Sequence, residues 1–237
     1  MNIDVIISAD NIDESKVKDK VVIVIDMLRA TTVITTAFMN GCREVIPCLT
    51  VDDALNEGKK FNRDEFVLGG ERRAMKIEGF DLSNSPLEYT EDVVKDKTVI
   101  ITTTNGTRAL TECKSAKRIF VASVINGGAV ARKLMEIGED VTIINAGTNG
   151  EFSMDDFICG GYIINEMMSI NENLYLTDVA KTANYIYENN KSFQNFIKDA
   201  RHYGVMKQLG LIEDVEYAMK KNITDIVPEY IDGHIIQ

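Results

Sequence analysis

Polar side chains that could do chemistry follow short apolar runs in several parts of the sequence. Asp26 closes the run VVIVI, Arg29 follows within one turn, and Thr31 leads into the next apolar stretch. A carboxylate fixed at a strand tip can bind Mg²⁺ as a hard oxygen ligand or attack phosphorus directly. The planar guanidinium of Arg29 suits bidentate contact with phosphate or sulfonate oxygens. A helix cap and a surface ion pair are the alternatives for this segment.

A second polar segment, TTTNGTR, follows the apolar run VII. Its glycine lets the backbone approach an oxyanion closely. The GxxxxGK[ST] spacing is absent, so the segment is not a Walker loop. We predict that it contacts an anionic substrate through Thr104, Asn105, Gly106, Thr107 and Arg108.

The third candidate is the long polar stretch LGGERRAMKIEGFDLSNSPLEYT, which carries Glu71, Arg72, Arg73 and Asn84. Loops of this length in compact domains are usually functional or mobile. Glu71 is a second carboxylate for a catalytic or metal site. Arg72 and Arg73 are cations that suit the acidic groups of a substrate.

The fourth candidate is TIINAGTNGEFSMDDF, whose Asn145, Gly147 and Thr148 resemble the second segment in residue type. We predict that these three residues contact substrate. The acidic pair Asp155 and Asp156 follows them, and an acid here could complete a metal site or protonate a leaving group. Acids are also common at helix starts, which is the alternative reading.

Absent motifs narrow the chemistry further. The chain has two histidines, His202 and His234, and no GxSxG, so a hydrolase triad lacks its expected elbow. We assign both histidines ordinary surface or core roles. Without HExxH or paired cysteines, zinc is disfavoured, and the carboxylates, amides and hydroxyls match Mg²⁺.

Composition excludes several classes of partner. The chain has 26 Lys and Arg against 37 Asp and Glu, a formal charge of -11, which repels nucleic acid and anionic lipid. A small anionic substrate remains compatible, because arginines in a cleft act locally while distant charges are screened. The four cysteines form no CxxC pair, so we predict that they are reduced and structural. The acidic N-terminus and the lack of a long apolar run predict a cytoplasmic protein.

The apolar pattern predicts an α/β fold. Seven β-branched runs alternate with amphipathic stretches, which is typical of three α/β/α layers around a largely parallel or mixed sheet. The pattern becomes mostly helical after about residue 172, so we predict a helical C-terminal third. No linker divides residues 1–237, which predicts one domain. A weak echo among three strand-turn segments leaves open two closely packed α/β halves.

Together the motifs resemble one known family. VIDMLRATT, GGER followed by GFDLSNSP, TTTNGT, VASVINGGAVA and NAGTNGEFSMDD closely resemble the 2-phosphosulfolactate phosphatase (ComB) family, in the family's order. The match runs from Val21 to DIVPEYIDG near the C-terminus. The resemblance implies a ComB-like α/β fold and Mg²⁺-dependent hydrolysis of 2-phosphosulfolactate to sulfolactate and phosphate, a step in coenzyme M biosynthesis.

The resemblance also assigns residues to roles. It implies that Asp26 and Glu71 are metal or catalytic carboxylates. It implies substrate contacts for Arg29, Asn105, Thr107 and Arg108, and adds Asn145, Thr148 and Asp155 to the site.

Three other readings remain open at this stage. The substrate could be another small phosphorylated hydroxy acid. A haloacid-dehalogenase-like phosphatase also begins with a strand-tip aspartate, but it needs DxDxT where this chain has Asp26-Met27-Leu28. The third reading is a non-catalytic protein that binds an anionic metabolite. We also predict a homodimer, since enzymes of this size are often symmetric dimers.

Overall fold

The computed structural model describes residues 1–237, and it has one mixed sheet of eleven strands. The sheet order is β5-β4-β6-β3-β11-β10-β7-β2-β8-β1-β9. All seven runs predicted as strands are strands, and the α/β fold is confirmed. The strands are β1 (Asn2–Ile6), β2 (Val21–Ile25), β3 (Glu44–Cys48), β4 (Phe66–Arg72), β5 (Met75–Lys76), β6 (Thr98–Thr102), β7 (Arg118–Ala122), β8 (Val141–Asn145), β9 (Tyr175–Leu176), β10 (Glu229–Ile231) and β11 (His234–Ile236).

Strand β2 shows why the sheet is covered on both faces. It pairs in parallel with β7 on one side and β8 on the other, and all five of its residues are buried. Val21, Ile23 and Ile25 belong to one apolar core, whereas Val22 and Val24 belong to another. Successive strand residues point to opposite faces, so a continuous apolar run is needed to fill both cores.

Helices form the two outer layers, as the amphipathic stretches between the strand runs predicted. The helices are α1 (Glu14–Val17), α2 (Ala30–Met39), α3 (Val51–Gly58), α4 (Glu91–Val94), α5 (Gly106–Glu112), α6 (Gly127–Ile137), α7 (Met154–Ile170), α8 (Asp178–Asn189), α9 (Phe193–Ile197), α10 (Arg201–Gln208) and α11 (Ile212–Ala218). Residues of α6, α7 and α8 belong to the same core as Ile23 of β2, and residues of α2 and α5 belong to the other core.

The C-terminal third is helical only in part. Helices α8 to α11 confirm the prediction up to Ala218, but the chain then ends in the hairpin β10–β11. This hairpin lies antiparallel between β7 and β3, in the middle of the sheet. Its turn residues Asp232 and Gly233 have φ of 49° and 92°, the conformation that Asp-Gly favours in tight hairpins. The Asp-Gly pair was thus a sequence signal for these strands.

Helix length and strand direction bear on where the protein can bind a ligand. None of the helices is long and apolar enough to cross a lipid bilayer. Strands β2 and β8 run in one direction, and β4 and β6 run in the other, because three antiparallel pairings through the hairpin separate the two parallel groups. Ligands of α/β sheets bind beyond the carboxyl ends of parallel strands.

Candidate active site

A polar cavity of about 560 Å³ lies beside the segments at the carboxyl ends of β2, β4, β6 and β8. Residues that follow β2, β4, β6 and β8 line it, together with one face of α10. Only Leu28, Ala74 and Val205 among its fifteen lining residues are apolar. The polar lining residues are Asp26, Arg29, Glu71, Arg72, Arg73, Asn84, Thr104, Asn105, Thr148, Asn149, Arg201 and His202.

Asp26 is a buried carboxylate on the cavity wall. One side-chain oxygen accepts the Ala30 N–H at 3.2 Å, at the start of α2. Burial raises the pKa of Asp26 to about 6, helped by the charges of Glu71 and Asp155 and opposed by His202 and the Ala30 N–H. Gly106 leaves room for the other oxygen, because a Cβ there would lie 2.7 Å from Asp26 Oδ2. Burial thus opposes ionisation of the carboxyl group at this strand tip.

Glu71 fixes two loops with its two oxygens. Oε1 accepts the Thr104 N–H and Oε2 accepts the Ala74 N–H, both at 2.7 Å. The second bond closes the β4–β5 turn, in which Arg73 and Ala74 have φ of 53° and 63°. Non-glycine residues in this left-handed region are strained, and strain of this kind clusters at functional sites.

Four arginines line the cavity, and three of them have partners. Arg29 donates to Asp214 at 2.7 Å in a buried ion pair and to the Ala74 carbonyl at 2.9 Å. Arg72 donates to the Thr102 hydroxyl and to the Glu71 carbonyl, both at 2.8 Å. Arg201 forms an ion pair with Glu151 and donates to the Thr148 carbonyl at 3.2 Å.

Arg73 differs from the other three because its guanidinium makes no hydrogen bond or ion pair within the chain. It stands on the strained turn at the cavity wall. Asn84, also on the wall, is buried and its side-chain oxygen has no partner. Both groups are available to a ligand.

His202 brings a group that the sequence prediction treated as ordinary. Its Nδ1 lies 3.4 Å from Oδ2 of Asp155, and its side chain is partly exposed to the cavity. Burial alone would lower the pKa of His202, but Asp155 and Asp26 outweigh it and raise that pKa. The pKa of Asp155 is lowered, because His202 and the Ser153 hydroxyl outweigh the effect of burial.

Asp156 ties two strand ends together beneath the cavity. Its two oxygens accept the N–H groups of Met27 at 2.8 Å and Gly147 at 3.0 Å. Burial and the charges of Asp155 and Asp26 raise the pKa of Asp156. The second acid of the pair thus has a positioning role behind the wall.

The cavity brings together seven of the predicted site residues, and the others lie outside its lining. The seven are Asp26, Arg29, Glu71, Arg72, Thr104, Asn105 and Thr148. Those outside it are Thr31, Gly106, Thr107, Arg108, Asn145, Gly147 and Asp155.

Most of the predicted residues that lie outside the cavity lining have partners elsewhere in the chain. Thr31 bonds to the backbone of Asp26 and Thr107 to that of Thr103, so both hydroxyls serve turns. Arg108 instead forms an ion pair with Asp10. Asn145 is fully buried at the end of β8 with both polar side-chain atoms unpartnered, and Gly147 offers its N–H to Asp156.

The carboxylates of the cavity suit the predicted Mg²⁺ in number and type. No three His, Cys, Asp or Glu side chains cluster closely enough to hold a metal by themselves. Mg²⁺ is usually bound by one or two carboxylates, with waters and substrate phosphate completing its shell. Asp26 and Glu71 line one cavity and fit that donor set.

Comparison with known proteins assigns the chain to a family. The model of the 2-phosphosulpholactate phosphatase family matches residues 6–233. The chain belongs to this family. A Clostridium botulinum protein named "Probable 2-phosphosulfolactate phosphatase" is 62% identical over 237 residues, the whole of both chains. Proteins with the same name from Clostridium beijerinckii and Clostridium acetobutylicum are 60% and 57% identical over 99% and 100% of both chains.

Family membership makes the chain a phosphoric monoester hydrolase. The cavity also contains residues that the sequence did not indicate. Arg201 and His202 line the cavity but carried no predicted role. Asn149, which also lines it, belongs to an Asn-Gly turn that the sequence indicated as a substrate contact. Arg201 and His202 lie on α10, far along the chain from the strand ends, and no motif marks them.

Proposed function

We propose that this chain is a Mg²⁺-dependent phosphatase that hydrolyses 2-phosphosulfolactate to sulfolactate and phosphate, the step found in coenzyme M biosynthesis. One observation carries the proposal. The carboxylates Asp26 and Glu71 share a cavity with Arg73, a cation without a partner in the chain. A phosphatase of a polyanionic acid needs both kinds of group at one place.

The cavity suits a small polyanion in size and charge. Its volume of about 560 Å³ is within the range of small-molecule sites. The substrate carries a phosphate, a carboxylate and a sulfonate, and each needs donors. Arg73 is free to bind one of them, and the N–H groups and amides near Thr104 and Asn105 can bind another.

The residues divide the chemistry between them. Asp26 and Glu71 hold the metal, which when bound supplies charge neutralisation at the phosphoryl oxygens. Arg29 is fixed by Asp214, so it presents its charge without reorganisation as the P–O bond breaks. Asp26 can alternatively receive the phosphoryl group as nucleophile.

A substrate series tests the proposal. We would measure kcat/KM for 2-phosphosulfolactate, for 2-phospholactate, which lacks the sulfonate, and for glycerol 2-phosphate, which lacks both acids. We expect a fall of about tenfold or more at each loss, since a charged hydrogen bond contributes about 1.5–3 kcal/mol. In Arg73→Ala, the fall in kcat/KM between two successive esters of the series should become smaller. Arg43→Ala, at an exposed position outside the cavity lining, should leave all the ratios of kcat/KM unchanged.

Other results would redirect the proposal. Equal rates for all three esters would show that the acids are not recognised. Tight binding of 2-phosphosulfolactate in calorimetry without phosphate release would favour a metabolite-binding protein. Faster turnover of another phosphorylated hydroxy acid would keep the reaction and change the substrate.

A further inference from the structure

A buried acid and a partly exposed imidazole form a pair beside Asp26. Asp155 lies on α7 and is 1% exposed, and His202 lies on α10 and is 19% exposed. The Ser153 hydroxyl donates to Oδ1 of Asp155. Oδ2 has no partner other than His202 Nδ1 at 3.4 Å. A buried carboxylate oxygen without a donor is costly, so a positive charge on His202 at this distance stabilises it.

The orientation leaves the second ring nitrogen free. Nδ1 is the ring nitrogen that lies near Asp155, and Nε2 makes no hydrogen bond within the chain. The exposed part of the ring contributes to the cavity wall, as Asp26 does. An acid that orients a histidine whose other nitrogen faces a reaction site is the arrangement of general acid–base catalysis.

The charges around the ring favour its protonated form. Asp155 from α7 and Asp26 from the tip of β2 face it, and Arg29 opposes them. Glu71, Arg72, Arg73 and Arg201 line the same cavity. Burial lowers the pKa of His202, but the two aspartates more than offset this and the pKa is raised. The two aspartates thus favour the protonated ring, which is the form that can donate a proton.

We propose that His202 is the catalytic acid of this phosphatase, with Asp155 as its positioning residue. The inference rests on the proposed function and deepens it. As the bridging P–O bond breaks, its electron pair stays on the substrate oxygen. That oxygen takes the proton from Nε2 and leaves as the hydroxyl of the product acid. Water adds its oxygen to phosphorus, one of its protons stays on phosphate, and the other restores the imidazolium.

The proposal replaces the direct role predicted for Asp155. That carboxyl is buried behind His202, outside the cavity lining, and its pKa is lowered. An ionised, enclosed carboxylate has no proton to give to an alkoxide. It can instead hold the imidazole in place and stabilise its positive charge.

The pH dependence of kcat separates an acid from a structural pair. We expect His202→Asn to lower kcat for 2-phosphosulfolactate by about 10²- to 10⁴-fold, with KM changed only a few-fold. The wild type should lose activity at high pH as His202 deprotonates, and this basic limb should vanish in His202→Asn. His234→Asn is the matched control, because His234 pairs with Glu44 outside the cavity lining, and it should behave as wild type.

Asp155→Asn provides the second arm. It should keep the basic limb but move it to lower pH, because the charge that raises the His202 pKa is gone. Wild-type kcat and an unmoved limb in His202→Asn would overturn the proposal. If His202→Asn fails to fold, an unmoved limb in Asp155→Asn overturns it equally.

The outcome also distinguishes this proposal from the one beneath it. If the wild type releases no phosphate from any ester of the series, both fail. If it turns over the ester with Mg²⁺ while the His202 and Asp155 variants keep its pH profile, only the assignment of the acid fails.

Discussion

At the scale of one residue, Asp26 is a carboxyl group that is costly to ionise where it lies. Its carboxyl is buried beside Glu71 and Asp155, and burial is the largest cause of its raised pKa. Burial thus makes the ionised form less favourable, although metal binding or attack on phosphorus needs that form. A residue chosen for packing alone would not carry this conflict.

The first prediction follows from that conflict. Asp26 has a pKa of about 6 in the folded chain against 3.8 as the reference value, so its contribution to stability is present below about pH 4 and lost as pH rises through 6. Asp26→Asn should therefore raise the free energy of unfolding at pH 7.5 by about 2–3 kcal/mol, at about 1.4 kcal/mol for each pKa unit. Urea unfolding with EDTA at pH 7.5 and pH 4 measures this.

An exposed aspartate provides the control. Asp64→Asn, at an exposed loop position, should leave the free energy of unfolding unchanged at both pH values. The gain in Asp26→Asn should shrink towards zero at pH 4. An Asn variant less stable than wild type at pH 7.5 would contradict this account of the site.

Sequence reasoning reaches some of these residues and misses others for a physical reason. Asp26 and Glu71 were predictable, because each carboxylate stands at or near the end of an apolar run that reads as a strand. His202 was not, because it lies on α10 and Asp155 on α7, far apart in the sequence, and only the fold brings the two side chains together. Thr107 and Arg108 were expected at the substrate, but the side chain of Thr107 serves the turn before α5 and that of Arg108 pairs with Asp10.

At the scale of elements, α11 is attached to the site by one buried ion pair. Asp214 accepts from Arg29 at 2.7 Å and from the Ser85 hydroxyl at 2.5 Å. The helix thereby joins the end of β2 to the long loop after β5. The sequence predicted helices here but not this attachment, because a lone aspartate in an amphipathic stretch has no recognisable partner.

The second prediction concerns that attachment. Asp214→Asn should lower the free energy of unfolding by about 3–5 kcal/mol, because it leaves the buried Arg29 charge without its counterion. Glu213→Gln, the exposed neighbour on the same helix, should change stability by less than about 0.5 kcal/mol. Equal stabilities of the two variants in urea unfolding would show that the pair does not anchor α11.

At the scale of the molecule, a hairpin joins two parallel parts of the sheet. Strands β4, β6 and β3 lie on one side of β10–β11, and β7, β2, β8 and β1 lie on the other. The parallel strands were predictable from their long apolar runs. The three-residue strands of the hairpin were not recognised in a segment that read as helical, although its Asp-Gly turn signals a hairpin.

The third prediction uses adjacent residues of β11. Ile235 is fully buried in the core, whereas Ile236 is 40% exposed. Ile235→Ala should lower the free energy of unfolding by about 2–5 kcal/mol, as expected for a buried isoleucine. Ile236→Ala should cost much less, and similar losses in the two variants would mean that the hairpin does not fill the core as described.

The central claim is that Asp26 and a bound Mg²⁺ act together in phosphate release. The most direct measurement is phosphate release from 2-phosphosulfolactate by the purified protein, with Mg²⁺ and with EDTA, for wild type and Asp26→Asn. The account predicts turnover that EDTA abolishes and Mg²⁺ restores, and a loss of about 10³-fold or more in Asp26→Asn, since the metal contributes several kcal/mol. Metal-independent turnover, or an Asp26→Asn variant as active as wild type, would contradict it.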